Sequence, residues 1–227
     1  MTGPPTVVRP VLEGMRWAAG LYDVPVVGGH LTGTAGPPSL SAFGLGRADR
    51  PLSACAAAPG QSLVVAACLD GKMRADFPFF PSFDERGGKL AGDVRLLAEG
   101  AESGWVAAAK DVSMAGLIGS LAMLLECNRL GVVLDLDALP VPAGVTVERW
   151  VTCFPCLSFL LCVPPEREED CLHAFGLRGL AAGTVGTLDE GGLLRISSAG
   201  QTETVFDLGV ESVTNLTRPG RARSGRR

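Results

Sequence analysis

Residues 110–125 carry the clearest indication of chemistry in this chain. Lys110 and Asp111 follow a run of small residues that predicts a strand over residues 105–109. We predict that Asp111 and Ser113 lie at the N-terminus of a helix, where free backbone N–H groups and the helix dipole favour phosphate. A carboxylate beside a phosphate is a common way to hold Mg²⁺. The helix is predicted from apolar residues at helical spacing, namely Met114, Leu117, Ile118, Leu121, Leu124 and Leu125.

The elements around this segment mix helices and strands without strict alternation. A helix is predicted over residues 9–21, with Pro10 in its first turn, and short strands over 24–27 and 39–46. The order predicts an α+β fold. The other predicted elements are strands over 63–69, 132–136, 157–163, 184–188, 193–197 and 202–206, helices over 90–101 and 165–176, and hairpin turns at 189–192 and 199–200.

Composition limits the class of partner. The chain has 227 residues, of which 47% are hydrophobic, which is ample for a core. Its net charge is −4, yet the last ten residues hold five arginines, so the remainder has 15 basic and 24 acidic residues. An acidic body argues against nucleic acid as the main partner. We predict that residues 217–227 form a disordered basic tail.

The sequence predicts neither a membrane span nor a secretory signal. The longest apolar run, over residues 153–165, is interrupted by Pro155 and falls short of the roughly 18 residues that a span needs. Seven cysteines, mostly among apolar residues, predict reduced thiols in a cytoplasmic protein. Cys153 and Cys156 are predicted to be buried structural thiols, because a redox pair should open a helix and zinc needs two further ligands.

Two motifs resemble those of the PurM-like superfamily. One is Gly28-Gly29-His30, and the other is the segment Lys110-Asp111-Val112-Ser113 followed by Gly116-Leu117. The superfamily includes aminoimidazole ribonucleotide (AIR) synthase, thiamine-monophosphate kinase, selenophosphate synthetase and the hydrogenase maturation protein HypE. Residues 70–74 and 135–140 are most similar to an AIR synthase-related branch. The resemblance implies an α+β PurM-like C-terminal domain preceded by a partial PurM-like N-terminal domain.

The resemblance also implies how the chain is organised. Residues 1–50 are expected to form the partial first domain, and residues 51–62, rich in Ala and Pro, a linker. Residues 63–216 are then the second domain. Within it, the long segment over 70–88 holds several Phe and Pro residues, and it is either a substrate lid or a loop packed on the core.

The resemblance further implies ATP and Mg²⁺ as cofactors and phosphoryl transfer to a small-molecule substrate. Asp111 would hold the metal, in a cleft shared by both motifs, and the full-length form would be a homodimer. No catalytic side chain is implied, because phosphoryl transfer depends on positioning and charge neutralisation. The residues expected to contact nucleotide are Gly28, Gly29, His30, Lys110, Ser113 and Gly116.

The sequence also departs from the superfamily pattern. Relatives begin with a further Gly-rich region that contains metal-binding aspartates, and Met114 stands where thiamine-phosphate kinases have a second Asp. We therefore expect this chain alone to turn over ATP poorly. Two alternatives stay open: a non-catalytic nucleotide-binding or dimerisation module, and a cysteine-based redox or zinc protein.

Overall fold

A computed structural model describes residues 1–216 of the chain. Contacts divide it into two compact units that interleave along the sequence. Unit 1 consists of Met1–Asp49 and Arg86–Arg95, and unit 2 consists of Arg50–Glu85 and the residues from Leu96 onward. The basic tail predicted at 217–227 lies outside the described residues. No helix within residues 1–216 is both long and apolar enough to cross a membrane.

Unit 1 is built around one long helix. Helix α1 spans Pro5–Leu21, so the predicted helix is confirmed but begins a turn earlier than expected. Pro10 therefore lies inside the helix and not in its first turn. Two short strands, β1 (Thr2–Gly3) and β2 (Thr32–Gly33), pair in parallel.

The strands predicted at residues 24–27 and 39–46 are wrong. Both segments are irregular and exposed. Within residues 1–216, neither has a neighbouring strand to share a hydrogen-bond ladder, apart from a single bridge between Ser39 and Thr2. Alternating apolar residues favour a strand only when a partner strand takes up the backbone hydrogen bonds.

A buried ion pair joins the two ends of the second segment of unit 1, Arg86–Arg95. Arg86 ends the short helix α2 (Phe83–Arg86), and Asp93 lies in the first turn of helix α3 (Leu90–Ser103). Nε and one terminal nitrogen of Arg86 each donate a 2.8 Å hydrogen bond to the Asp93 carboxylate. Both side chains are almost fully buried. Removing either partner of such a pair strongly destabilises a protein, because the other charge would remain buried and unpaired.

Unit 2 centres on a four-stranded antiparallel sheet. Its strand order is β5 (Ala108–Asp111), β8 (Ser158–Val163), β3 (Ser62–Ala67) and β9 (Ala181–Thr187). Every residue of β3 and β8 is buried, which explains their uninterrupted apolar sequences. The predicted strands in these regions are confirmed, except that β5 begins three residues later than the strand predicted over 105–109 and continues to Asp111.

A second sheet joins β6 (Val132–Asp135), β10 (Leu193–Ser198) and β11 (Gln201–Asp207). The turn at Ala199 and Gly200 makes a true hairpin, and both residues have the positive φ that a type I′ turn requires. The predicted hairpin turn at 189–192 is wrong, because β9 pairs with β3 whereas β10 pairs with β6. That turn instead links the two sheets.

Three helices and a small aromatic cluster complete unit 2. The helices are α4 (Gly116–Glu126), α5 (Val147–Thr152) and α6 (Glu168–Leu177), of which α5 was not predicted. In the aromatic segment, β4 (Phe79–Phe80) pairs with β7 (Phe154–Pro155). The Phe80 ring meets Trp150 edge-on at 5.3 Å, and both side chains are buried. These contacts favour a packed loop over a lid. The α+β class is as predicted.

The C-terminal end of α4 is held by two sets of bonds. Cys127, just beyond the helix, forms a disulfide with Cys55, and their Cα atoms are 5.1 Å apart. The Asn128 side chain donates hydrogen bonds to the carbonyl oxygens of Cys55 at 2.9 Å and Ala57 at 2.7 Å. The expectation that all cysteines are reduced is therefore wrong for this pair, whose closeness depends on chain folding and not on local sequence.

Glu126, the last residue of α4, makes a further attachment at the same end of the helix. Its carboxylate accepts hydrogen bonds from the hydroxyls of Ser212 at 2.6 Å and Thr214 at 2.8 Å, and from the N–H groups of Val213 and Thr214. Partial burial alone would raise the pKa of Glu126, but these hydrogen bonds outweigh it and the pKa is lowered. The carboxylate thus fixes the chain after β11 to the end of α4.

Candidate functional site

The segments that follow strands β3 and β5 leave the central sheet of unit 2 at the same end. Ala67, the last residue of β3, pairs with Ser158, and Asp111, the last residue of β5, pairs with Phe159. Both strands run antiparallel to β8, one on each side of it, so residues 68–72 and 112–115 leave the sheet at the same end with β8 between them. The N–H of Val112 continues the pairing by donating to the Ser158 carbonyl at 3.0 Å.

Lys110 and Asp111 form an ion pair at this end of the sheet. The Lys110 ammonium lies 2.9 Å from Oδ1 of Asp111, and the lysine side chain is largely covered while the aspartate is 66% exposed. One carboxylate oxygen therefore has no protein partner among the described residues. No group of three or more His, Cys, Asp or Glu side chains within residues 1–216 is placed to hold a metal ion. A Mg²⁺ ion here would be held by Asp111 together with oxygens of its ligand and water, which is a usual arrangement for Mg²⁺-nucleotide sites.

The helix begins later than the sequence indicates. Asp111 ends a strand, and α4 starts at Gly116, so the prediction that Asp111 and Ser113 lie at the helix N-terminus is wrong. A turn over residues 113–116 intervenes, closed by a 2.9 Å hydrogen bond from the Gly116 N–H to the Ser113 carbonyl. Met114 lies in this turn and is exposed, so it is not part of the apolar face of α4. Gly116 ends the turn with φ +67°, which an ordinary helix start does not require.

Some backbone N–H groups of the turn donate a hydrogen bond within the protein, and others have no acceptor among the described residues. The Ser113 N–H donates to Oγ of Ser120 at 3.1 Å, and the Val112 and Gly116 groups are paired as described above. The N–H groups of Met114 and Ala115 have no acceptor among the described residues. They precede the first turn of α4, whose own N–H groups also lack intrahelical partners. These donors suit an anion that approaches beside Asp111.

Gly116 lets α4 pack tightly on α5. A Cβ atom at Gly116 would lie 2.6 Å from the Val151 carbonyl oxygen and 2.9 Å from Cα of Thr152. Only glycine accommodates both this close approach and the positive φ. Gly116, which is expected to contact nucleotide, thus has its α-carbon packed against the backbone of α5.

The other expected nucleotide segment lies in unit 1. Gly28, Gly29 and His30 are exposed and irregular, and a Cβ atom at either glycine would meet nothing within 4 Å. The His30 carbonyl accepts a 2.8 Å hydrogen bond from the N-terminal ammonium of Met1. That this segment and the Asp111 turn line one cleft stays a prediction, since the two belong to different units.

The loop after β3 is tied to helix α5. The Arg149 guanidinium donates to the Arg74 carbonyl at 3.3 Å, and Arg74 forms an exposed ion pair with Asp76 at 3.2 Å. That pair lowers the pKa of Asp76. Gly71 has a positive φ and packs against the Pro81 carbonyl. These contacts give the loop a defined shape at the end of the sheet from which the Asp111 turn also leaves.

The remaining cysteines do not form a reactive centre. Burial raises the pKa of Cys153 to about 11 and of Cys162 to about 12, so their thiolates are scarce at neutral pH. Burial also raises the pKa of Cys156, whose sulfur accepts a hydrogen bond from the Ser82 N–H at 3.0 Å. Both Cys153 and Cys156 are free thiols, and Cys153 is buried as predicted, whereas Cys156 is only partly buried.

Comparison with known proteins decides the family. Residues 84–198 match the family described as AIR synthase related protein, C-terminal domain. The chain belongs to this AIR synthase-related family. It thus joins the PurM-like superfamily to which its two motifs are similar, and the matched region contains the Asp111 turn and α4.

Relatives of this family member are longer than the chain. An uncharacterized protein of Synechocystis is 33% identical over 209 residues, which cover 91% of this chain and 65% of that protein. The phosphoribosylformylglycinamidine synthase subunit PurL of Prochlorococcus marinus is 27% identical over 86% of this chain and 27% of its own length. The chain therefore spans less than two thirds of these relatives.

Solved structures show the same fold. PurL of T. maritima complexed with AMPPCP superposes with a TM-score of 0.69 at 18% identity, over 92% of this chain and 36% of PurL. The hydrogenase maturation protein HypE gives a TM-score of 0.62 at 18% identity, over 91% of this chain and 73% of HypE. The AIR synthase-related chain therefore has the PurM-like fold.

Proposed function

We propose that this AIR synthase-related chain binds Mg²⁺-ATP at the Asp111 turn, as part of a protein that transfers a phosphoryl group to a small molecule. The observation that supports it most is that one short segment carries both an exposed carboxylate, that of Asp111, and two backbone N–H groups, those of Met114 and Ala115, that have no acceptor among the described residues. A metal-bound phosphate needs both an anionic oxygen for the metal and hydrogen-bond donors for its own oxygens.

The chemistry of the neighbouring residues agrees with this proposal. Lys110 already neutralises part of the Asp111 charge, and its ammonium could shift to a phosphate oxygen while the metal takes the carboxylate. The Ser113 hydroxyl lies on the same turn. Relatives of the same fold have been solved with ligands of the proposed kind, since PurL of T. maritima is described as complexed with ATP, ADP and AMPPCP. The same PurL is also described as complexed with FGAR.

Calorimetric titration with Mg²⁺-ATP tests the proposal. Asp111→Asn keeps the size of the side chain but removes the charge, and we expect it to weaken Mg²⁺-ATP binding about tenfold, or ~1.4 kcal/mol. The matched control is Asp84→Asn, an exposed aspartate on α2. Equal affinity for wild type and Asp111→Asn, or no binding by the wild-type chain, would contradict the proposal.

A second function, dimerisation through unit 1, is supported by the exposed apolar residues of its irregular segment. Val27 is 94% exposed, Phe43 98% and Leu45 fully exposed. Large apolar side chains that stay exposed among the described residues are typical of interaction surfaces. We propose that a second copy of the protein covers them.

Light scattering across a concentration series tests this second proposal. The double variant Phe43→Ser, Leu45→Ser should be monomeric at concentrations where wild type is dimeric. The control is Leu177→Ser, which removes an exposed leucine from unit 2. A wild-type chain that stays monomeric throughout would refute dimerisation and leave the nucleotide proposal intact.

A further inference from the structure

One polar side chain interrupts the apolar face of α4. Ser120 is fully buried, and its helical neighbours Leu121, Leu124 and Leu125 are also completely covered. An apolar residue would serve packing equally well at such a position, and a buried hydroxyl is costly unless it is hydrogen-bonded. The buried Ser120 hydroxyl is therefore expected to have a specific hydrogen-bond partner.

That partner is the turn that carries the candidate phosphate site. Oγ of Ser120 accepts the Ser113 N–H at 3.1 Å. Ser113 lies between Asp111, which ends the strand, and the available N–H groups of Met114 and Ala115. A single hydrogen bond from inside the helix thus fixes the backbone at the centre of the turn.

The helix that presents this hydroxyl is itself rigidly held. Gly116 packs its α-carbon on the backbone of α5, and the other end is fastened through Glu126 and Cys127. Oγ of Ser120 is consequently a fixed reference point to which the more exposed turn is attached. Preorganised donors bind an anion better than donors that must first be ordered.

We infer that Ser120 is a positioning residue for the anion site: its hydroxyl holds the Ser113 amide so that the Met114 and Ala115 N–H groups and the Asp111 carboxylate converge on one phosphate. The identity of the ligand rests on the proposed function. The positioning contact itself does not, because it exists within the protein alone.

Amide hydrogen exchange measured by NMR tests the contact without any ligand. In Ser120→Ala, the Ser113 amide should exchange at least about fivefold faster, because a partly buried hydrogen bond is lost. The amides of Leu124 and Leu125 within α4 should keep their wild-type rates. Ser62→Ala, which removes a buried hydroxyl at the opposite end of β3, is the matched control and should leave Ser113 unchanged. Unchanged exchange at Ser113 in Ser120→Ala would overturn the inference.

Titration with Mg²⁺-ATP tests the consequence for binding. Ser120→Ala should bind about fivefold more weakly than wild type, and Ser120→Thr, which keeps the hydroxyl, should recover affinity. Equal affinity for wild type and Ser120→Ala would overturn the role in binding. If the wild-type chain binds no Mg²⁺-ATP, the proposed function fails, and the exchange experiment alone decides whether Ser120 positions the turn.

Discussion

Helix α4 in unit 2 and the segment over residues 24–46 in unit 1 have similar apolar side chains but bury them to opposite extents. Leu121, Leu124 and Leu125 are 0% exposed, whereas Phe43 and Leu45 are essentially fully exposed. Burial of apolar surface contributes roughly 25 cal/mol per Å² to folding. Unit 2 therefore has a core of its own, while Phe43 and Leu45 of the unit 1 segment gain no such stabilisation among residues 1–216.

The largest expected effect comes from matched leucine truncations. Leu121→Ala should lower the free energy of unfolding by about 3–5 kcal/mol, because it leaves a cavity in a closely packed core. Leu45→Ala should change it by less than ~0.5 kcal/mol at protein concentrations where the chain is monomeric, since that side chain is exposed in a single copy. Urea denaturation of both variants measures the difference. A substantial loss in Leu45→Ala would show that the segment is buried in solution.

A glycine pair gives the next largest contrast. Gly116→Ala should destabilise the protein by about 2–4 kcal/mol, because Cβ would strike the α5 backbone and the positive φ is strained. Gly29→Ala should be tolerated within ~0.5 kcal/mol, as nothing lies near its Cβ position. Melting temperatures and far-UV circular dichroism of the two variants provide the measurement. Similar losses in both would contradict the assigned packing of Gly116.

The smallest expected effect concerns the hydrogen-bonded end of α4. The lowered pKa of Glu126 means that its contribution to stability is complete above the ordinary pKa of a glutamate and is lost as pH falls through the lowered value. Glu126→Gln should cost about 1 kcal/mol at neutral pH, since partial exposure limits the loss. It should cost little at a pH below the folded-state pKa. Denaturation at both pH values checks this, with Glu203→Gln on exposed β11 as control.

The sequence predicted unit 2 better than unit 1 for a physical reason. Strands such as β3 and β8 and helix α4 have apolar patterns that the core of unit 2 satisfies, so local pattern and final structure agree. The residues over 24–27 and 39–46 have the same kind of pattern but no partner strand among the described residues. A strand is a cooperative structure, and its propensity alone does not supply the missing hydrogen bonds.

For the candidate site, the sequence offers residue types but not the geometry of the turn that carries them. Lys110, Asp111 and Ser113 were named from type and spacing, whereas the turn before Gly116 was missed because its left-handed backbone depends on contact with α5. Ser120 is not among the residues that the resemblance implies as nucleotide contacts. A serine at the centre of an otherwise apolar helical face was the available signal. Its partner, seven residues earlier, could be identified only once the turn had been located.

The disulfide has a consequence for proteolysis. Because Cys55 and Cys127 are 72 residues apart, the chain between them forms a covalent ring. This ring contains the exposed residues Lys72 and Arg74, where trypsin cuts. A single cut there opens the ring without releasing a fragment, so the nicked protein would keep its mass on a non-reducing gel and separate into two pieces only after reduction.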